Sequence, residues 1–252
     1  MGMKTNNMKP MLARSYSCYN PEGWWMSEKL DGVRAVWTGC EFISRNGKTF
    51  PAPQELIDSM PSGVILDGEL FGGRGKFQAT VGKVRRGDWS GITYEVFDVI
   101  NDKPFEARQA TLSGLDLPAW CNVVEQAQCL SDEHLMDYEV ELIKQGAEGV
   151  MIRKPGSLYQ HKRSDDLQKI KRGHTAEAVV TGYHDGEGRN AGRVGALVAE
   201  FCGQVFKIGS GLSDEERDNP PAIGSLVTFS FFEFTDGGKP RFPIFVGVRD
   251  YE

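Results

Sequence analysis

The strongest constraint on the fold is a change of texture near residue 173. Beyond Arg172-Gly173-His174-Thr175 the chain breaks into short stretches of alternating apolar and polar residues, divided by glycine turns and carrying little helical periodicity. Ala176 to Tyr183, Val194 to Phe201, Val205 to Ile208, Leu226 to Phe234 and Ile244 to Val248 read as strands, and Ser213 to Arg217 as a small helical piece. Period-two alternation lets a strand bury one face only, so many short strands in so little chain suit a small Greek-key barrel.

The part before the break mixes helices and strands. Strands are expected over Glu41 to Ser44, Val64 to Phe71, Ile92 to Ile100, Val123 to Cys129 and Glu148 to Arg153. Helices are expected over Pro53 to Met60, Pro104 to Leu115, and from an N-cap at Ser131 to a stop at Gly146, with Leu135, Tyr138, Leu142 and Ile143 on one face. Arg45-Asn46-Gly47-Lys48 signals a tight turn, because Asn-Gly supplies positive φ angles cheaply. The fold class is α+β, divided into a first domain at 1–172, of antiparallel sheets flanked by helices, and a small all-β barrel at 173–252.

Composition narrows the function. A chain of 252 residues with 40% hydrophobic and 25% charged content is a globular protein, not a disordered or fibrous one. A formal charge of −6 argues against indiscriminate coating of nucleic acid but leaves room for a local basic surface. The five scattered cysteines include no Cys-x-x-Cys pair and predict neither a zinc site nor a disulfide framework. No apolar run reaches membrane-spanning length, and Met1 to Pro10 has no hydrophobic signal core. The chain reads as cytoplasmic; a periplasmic protein relieved of its signal peptide would present the same sequence. Nothing in it demands more than a monomer.

Chemistry concentrates at Ser27-Glu28-Lys29-Leu30-Asp31-Gly32-Val33-Arg34, behind the apolar Trp24-Trp25-Met26. A buried strand would carry Lys29 to a pocket edge, and Asp31-Gly32 would turn the chain back as a second strand, setting an amine, a carboxylate and a guanidinium on one hairpin. Taken alone, the stretch is equally compatible with an ordinary polar hairpin corner. Asp67-Gly68-Glu69 then places two acids on one face of an apolar strand, which is costly unless they are used or paired. Arg74, Lys76, Lys83, Arg85 and Arg86 form the densest cationic segment, read either as phosphate-backbone contacts or as a solvated helix surface. Phe97 alone would be a core residue, Asp67 and Asp98 alone turn caps or arginine partners, and Lys169 with Lys171 a strand face.

In order, Lys29-Leu-Asp31-Gly32-Val-Arg34, Ser44-Arg45-Asn46-Gly47, Asp67-Gly68-Glu69, Tyr94-Glu-Val-Phe97-Asp98, Glu148-Gly149-Val150-Met151 and Lys169-Ile-Lys171 resemble the motif set of the covalent nucleotidyltransferases, the superfamily of DNA ligases, RNA ligases and capping enzymes. The second domain resembles that family's oligonucleotide-binding-fold (OB-fold) domain. Pro10-Met11-Leu12-Ala13, Gly73-Arg74-Gly75-Lys76-Phe77, Gly209-Ser210-Gly211-Leu212 and Arg241-Phe242-Pro243-Ile244-Phe245 are most similar to minimal ATP-dependent DNA ligases of bacteria and their viruses.

The resemblance implies that Lys29 attacks the α-phosphorus of ATP and carries AMP, with Lys169 and Lys171 lowering the cost of its deprotonation. It implies Mg²⁺ or Mn²⁺ at Glu69 and Glu148, with Glu69 alternatively holding the ribose. Asp31 would act near the ribose and the nick 3′-hydroxyl, and Phe97 would stack on adenine. Arg34 and Arg45 would take the 5′-phosphate of nicked double-stranded DNA, for which a guanidinium fork is suited. The Arg-x-Asp-Lys signature of larger ligases has no full match; Arg249-Asp250 comes nearest, which makes Arg249 the candidate for assisting pyrophosphate departure. An RNA ligase or guanylyl-transferring capping enzyme would use the same core motifs, and a decayed, non-catalytic nucleic-acid-binding protein is the rival from another class.

Overall fold

The computed structural model describes residues 9–18, 20–171, 174–231, 234–235 and 237–249, with nothing said of the His174 side chain. Arg172 and Gly173 of the expected linker, and Asp250, lie outside the described residues. The chain forms two compact units, one of 1–132 with 142–170 and the other of 171–252 with 133–141.

Two five-stranded sheets build the first unit. One has the order β1-β10-β9-β2-β8, from Leu12–Ser15 (β1), Arg163–Ile170 (β10), Val150–Arg153 (β9), Trp25–Glu28 (β2) and Ala127–Gln128 (β8). The other has the order β4-β3-β5-β6-β7, from Phe42–Ser44 (β4), Val33–Trp37 (β3), Leu66–Phe71 (β5), Thr93–Val99 (β6) and Cys121–Val123 (β7). The first unit's helices are Gln54–Ser59 (α1), Phe77–Arg86 (α2) and Phe105–Ser113 (α3); a fourth, Asp132–Lys144 (α4), is divided between the units, with 133–141 in the second. Alternation in the second sheet turns Ala35, Trp37, Leu66, Leu70, Tyr94 and Val96 into a core that Phe42, Val84 and Trp89 complete. The opposite face of the same strands is left to Arg34, Asp67 and Glu69.

Three expectations are corrected. Trp25–Glu28 and Val33–Trp37 are not a hairpin: β2 pairs with β8 and β9, while β3 pairs with β4 and β5, so Lys29–Gly32 passes between sheets. Gly32 is needed for this crossing and not for a turn, since a Cβ there would strike the Leu70 carbonyl and come within 2.8 Å of Glu69 Cγ. The single strand expected over Val123 to Cys129 is two, with β7 in one sheet and β8 in the other. The chain changes partners midway, Val124 N–H donating to the Val96 carbonyl and Cys129 N–H to the Trp24 carbonyl. Finally, β1 was not foreseen; it pairs in parallel with β10 across a register shift at Ala13/Arg14.

The second unit is a barrel of order β13-β12-β11-β14-β15, from Gln204–Ile208 (β13), Val194–Phe201 (β12), His174–Asp185 (β11), Leu226–Phe231 (β14) and Ile244–Val248 (β15). In β14, Val227, Phe229 and Phe231 are buried and alternate with less buried neighbours. A parallel bridge from Ser210 to Ile244 closes the barrel. Gly211, at φ +90°, lies where a side chain would collide with Phe245, so the Gly209–Leu212 stretch is a seam of the barrel. Asp214–Asp218 (α5) starts from a capping box between Ser213 and Glu216. Among the described residues, no helix is long and apolar enough to cross a membrane.

Candidate active site

The last residue of β2 is Glu28, and Lys29 follows at the strand's open end. Antiparallel pairing sets Glu28 opposite Val150, and Lys29 N–H donates to the Gly149 carbonyl at 2.9 Å. That register brings Glu148, just before β9, against the lysine, and Lys29 Nζ donates to Glu148 Oε2. The two side chains retain 20% and 13% of their exposure, enough for a small molecule to reach them.

The facing wall is the polar side of the second sheet. Arg34 on β3 lies directly across from Glu69 on β5 but turns its fork to Asp67, with Nε and Nη2 each 2.6 Å from a carboxylate oxygen. Burial would lower the Arg34 pKa, yet Asp67 outweighs it and the guanidinium is held protonated. Tyr159 donates its hydroxyl to Asp67 at 2.5 Å and accepts from Met11 N–H at 3.0 Å. Glu69 has no hydrogen bond or ion pair from its carboxylate among the described residues. Burial pushes its pKa up to about 7, partly offset by Arg34 and Lys29.

A bulge supplies the aromatic. Gly68 pairs with Val96 and Asp67 with Asp98, leaving Phe97 as the extra residue on β6. The consecutive Phe97 and Asp98 thereby join one cluster: the Arg34 guanidinium lies 4.5 Å from the Phe97 ring centre, and Asp98 faces Asp67. Gln109 on α3 donates to the Phe97 carbonyl at 2.8 Å and holds the bulge. Behind it, Asp98 is fully buried between Arg108, at 2.7 and 3.0 Å, and Arg153, at 3.1 Å. Burial raises the Asp98 pKa against the pull of both arginines.

These walls enclose a cavity of about 290 Å³, at the small end of ligand sites, lined by Lys29, Arg34, Glu69, Phe97 and Lys169 with Arg45 among its outer residues. Arg45 is exposed and has no side-chain partner among the described residues. Asp31 is partly exposed, equally unpartnered, and not part of the lining. The shared strand face expected for Lys169 and Lys171 is corrected, because β10 ends at Ile170 and Lys171 belongs to the second unit. Arg249 follows β15 and pairs with Glu177 on its own barrel.

The cationic segment also divides. Arg74, expected on a phosphate backbone, is instead clamped to Glu28 at 2.9 and 2.8 Å and to Gln145. Lys83 donates to the Ser90 carbonyl at 2.6 Å and ties down the turn after α2. Lys76, Arg85 and Arg86 are exposed and unpartnered among the described residues. Arg108, Arg153, Tyr159, Arg163 and Gln126 were not foreseen. Arg108 had a signal, since Phe105, Arg108 and Leu112 share the buried stripe of α3; Tyr159, in a loop, had none.

The donor set suits a hard divalent cation only in part. Among the described residues no cluster of three or more His, Cys, Asp or Glu side chains could hold a metal. Two carboxylates, Glu69 and Glu148, flank Lys29, and that suits Mg²⁺, which keeps most of its waters and takes remaining oxygens from substrate phosphates.

A lysine pressed against a glutamate between two largely antiparallel sheets, in a unit followed by a five-stranded barrel, defines a nucleotidyltransferase domain with an OB-fold domain. A family model described as an ATP dependent DNA ligase domain matches residues 10–171, and one described as a DNA ligase OB-like domain matches 185–249. A DNA ligase of Haemophilus influenzae is 37% identical over 244 residues, covering 94% of this chain and 90% of that protein. A solved structure from a study of Lig E DNA ligases is 36% identical, with TM-score 0.62 over 95% of this chain and 98% of the other. The Chlorella virus DNA ligase-adenylate is 26% identical, with TM-score 0.60 over 96% and 99%. The chain belongs to the ATP-dependent DNA ligases.

Proposed function

We propose that this enzyme seals 5′-phosphate/3′-hydroxyl nicks in duplex DNA, with Lys29 as the residue that carries AMP. The Lys29 amine attacks the α-phosphorus of ATP; an N–P bond forms, the bond to the β-phosphate oxygen breaks, and pyrophosphate leaves as the amine gives up its proton. A nick 5′-phosphate oxygen then takes the AMP, returning the lysine, and the 3′-hydroxyl attacks the 5′-phosphorus and expels AMP. The observation that carries this reading is Lys29, paired with Glu148, in the lining of a cavity that Arg34, Glu69 and Phe97 also line.

The remaining roles follow from position. Phe97 offers adenine the ring face that Arg34 leaves free. Glu148 and Glu69 would hold the divalent cation, with Glu69 alternatively holding the ribose, and the cation, when bound, offsets phosphate charge. Lys169 faces the phosphates, and Lys171 and Arg249 serve the same AMP-loading step. Arg34 has Nη1 left for a substrate oxygen, and Arg45 takes the nick 5′-phosphate. Asp31 acts near the 3′-hydroxyl. Lys76, Arg85 and Arg86, exposed and without a hydrogen bond or ion pair among the described residues, contact the DNA backbone, each adding salt dependence. In this reading 1–172 is the adenylation domain and 173–252 the OB-fold domain.

The test is incubation with α-labelled ATP or GTP. Wild type should retain label from ATP, and Lys29→Ala should retain none while still sealing a nick already carrying 5′-AMP. A labelled Lys29→Ala protein overturns the assignment; label taken from GTP would favour the capping chemistry.

A further inference from the structure

The nucleophile and its partner glutamate sit on two different segments, the end of β2 and the loop before β9, and the short antiparallel pairing of those strands, with the Lys29–Gly149 backbone bond, sets their separation. A second connection joins the same two segments. Arg74, in the turn that begins α2, sends Nε and Nη2 to the two carboxylate oxygens of Glu28, at 2.9 and 2.8 Å, and Nη1 to the Gln145 carbonyl at 3.0 Å and side-chain oxygen at 3.2 Å. Glu28 immediately precedes Lys29, and Gln145 lies three residues before Glu148. One planar guanidinium therefore spans both segments, a task a flexible ammonium performs poorly.

We propose that Arg74 is a positioning residue for AMP loading, holding the Lys29 and Glu148 segments in register from outside the cavity. Its charge has a second effect. Glu28 lines the cavity, and without a counter-charge its carboxylate would oppose the arriving triphosphate. Arg74 thus serves the first chemical step, although it lies in the chain's densest cationic segment and its exposure, 32%, would permit a DNA contact. The inference rests on Lys29 being the AMP carrier.

Arg74→Ala should slow AMP loading at saturating ATP by roughly tenfold to a hundredfold, the scale expected when reacting groups are misplaced by about an ångström. Arg74→Lys should recover only part of the rate, since it restores charge but not the fork. Sealing of a pre-adenylated nick should stay within about threefold of wild type, with an unchanged KM for DNA, because that step does not use the amine. Normal loading by Arg74→Ala overturns the proposal, and so does a defect confined to the KM for DNA, which would make Arg74 a phosphate ligand. Should Arg74→Ala fail to fold, Glu28→Gln weakens the same clamp from the other side, and normal loading by that variant is equally fatal. Lys29→Ala run alongside separates the two failures: label on that protein removes the premise, whatever Arg74 does.

Discussion

Asp67 and Glu69 stand two residues apart on β5 and share a face, yet they live in opposite conditions. Asp67 is fully buried and saturated, with Arg34 on both oxygens and the Tyr159 hydroxyl on one of them. Glu69 has no such partner, and burial without pairing moves its pKa up to about 7. Asp98 is likewise locked between Arg108 and Arg153, whereas Glu148 pairs with Lys29, an amine that chemistry would take from it. Saturated acids hold the two sheets in place; open ones are left for substrate. A buried carboxylate with every lone pair engaged cannot move or exchange ligands without leaving a charge stranded.

The largest effect that would sharpen this contrast is at Glu148. Glu148→Ala should reduce AMP loading by about a hundredfold or more, while the unfolding free energy from urea melts falls by no more than about 1 kcal/mol, since Lys29 retains some exposure and can be solvated. Arg108→Met should do the reverse. It strips one guanidinium from a carboxylate with no exposure and should cost roughly 3–5 kcal/mol of stability. Lys29 itself would remain intact, so AMP loading by the folded fraction should persist. Equal loss of stability in the two variants would break the distinction.

This division was half legible. The Lys29, Glu69 and Glu148 motifs are local strings, and the structure gathers them because Glu69 alternates on β5 with Arg34 opposite it on β3, while Lys29 and Glu148 adjoin the paired ends of β2 and β9. The barrel strands were legible for the same reason. What sequence could not show is pairing over distance. Phe97 and Asp98 are consecutive, and simple alternation sends them to opposite faces; only the register shift in β6 brings both to one side. Nothing local distinguishes Arg74, which pairs inside the protein, from Arg85 and Arg86, which do not, because the deciding acid is Glu28, far away in the chain. The supposed hairpin at Asp31-Gly32 fails likewise, its glycine serving a close approach to Leu70 and not a reversal.

A third acid lies between the extremes and offers the finest test. Glu106, in the first turn of α3, accepts the Trp25 indole N–H at 2.9 Å and the Gly156 N–H at 3.0 Å on each oxygen, yet it stays partly exposed. Burial works against its charge, but these donors outweigh it and hold its pKa below the ordinary carboxylate value. A depressed pKa in the folded state means the ionised form stabilises the fold. That contribution is complete above the unfolded value, about 4.5, and disappears as pH falls through the lower folded value. Glu106→Gln keeps the shape and one acceptor while losing the charge, so it should cost on the order of 1 kcal/mol at pH 7. The gap in melting temperature between variant and wild type should then hold from neutrality down to about 4.5 and narrow below it, closing once the medium is below the lower folded value, where folded wild type is protonated too. A gap that stays constant over that range would show that Glu106 acts by shape alone, and that a partly exposed acid with good donors gains nothing from its charge.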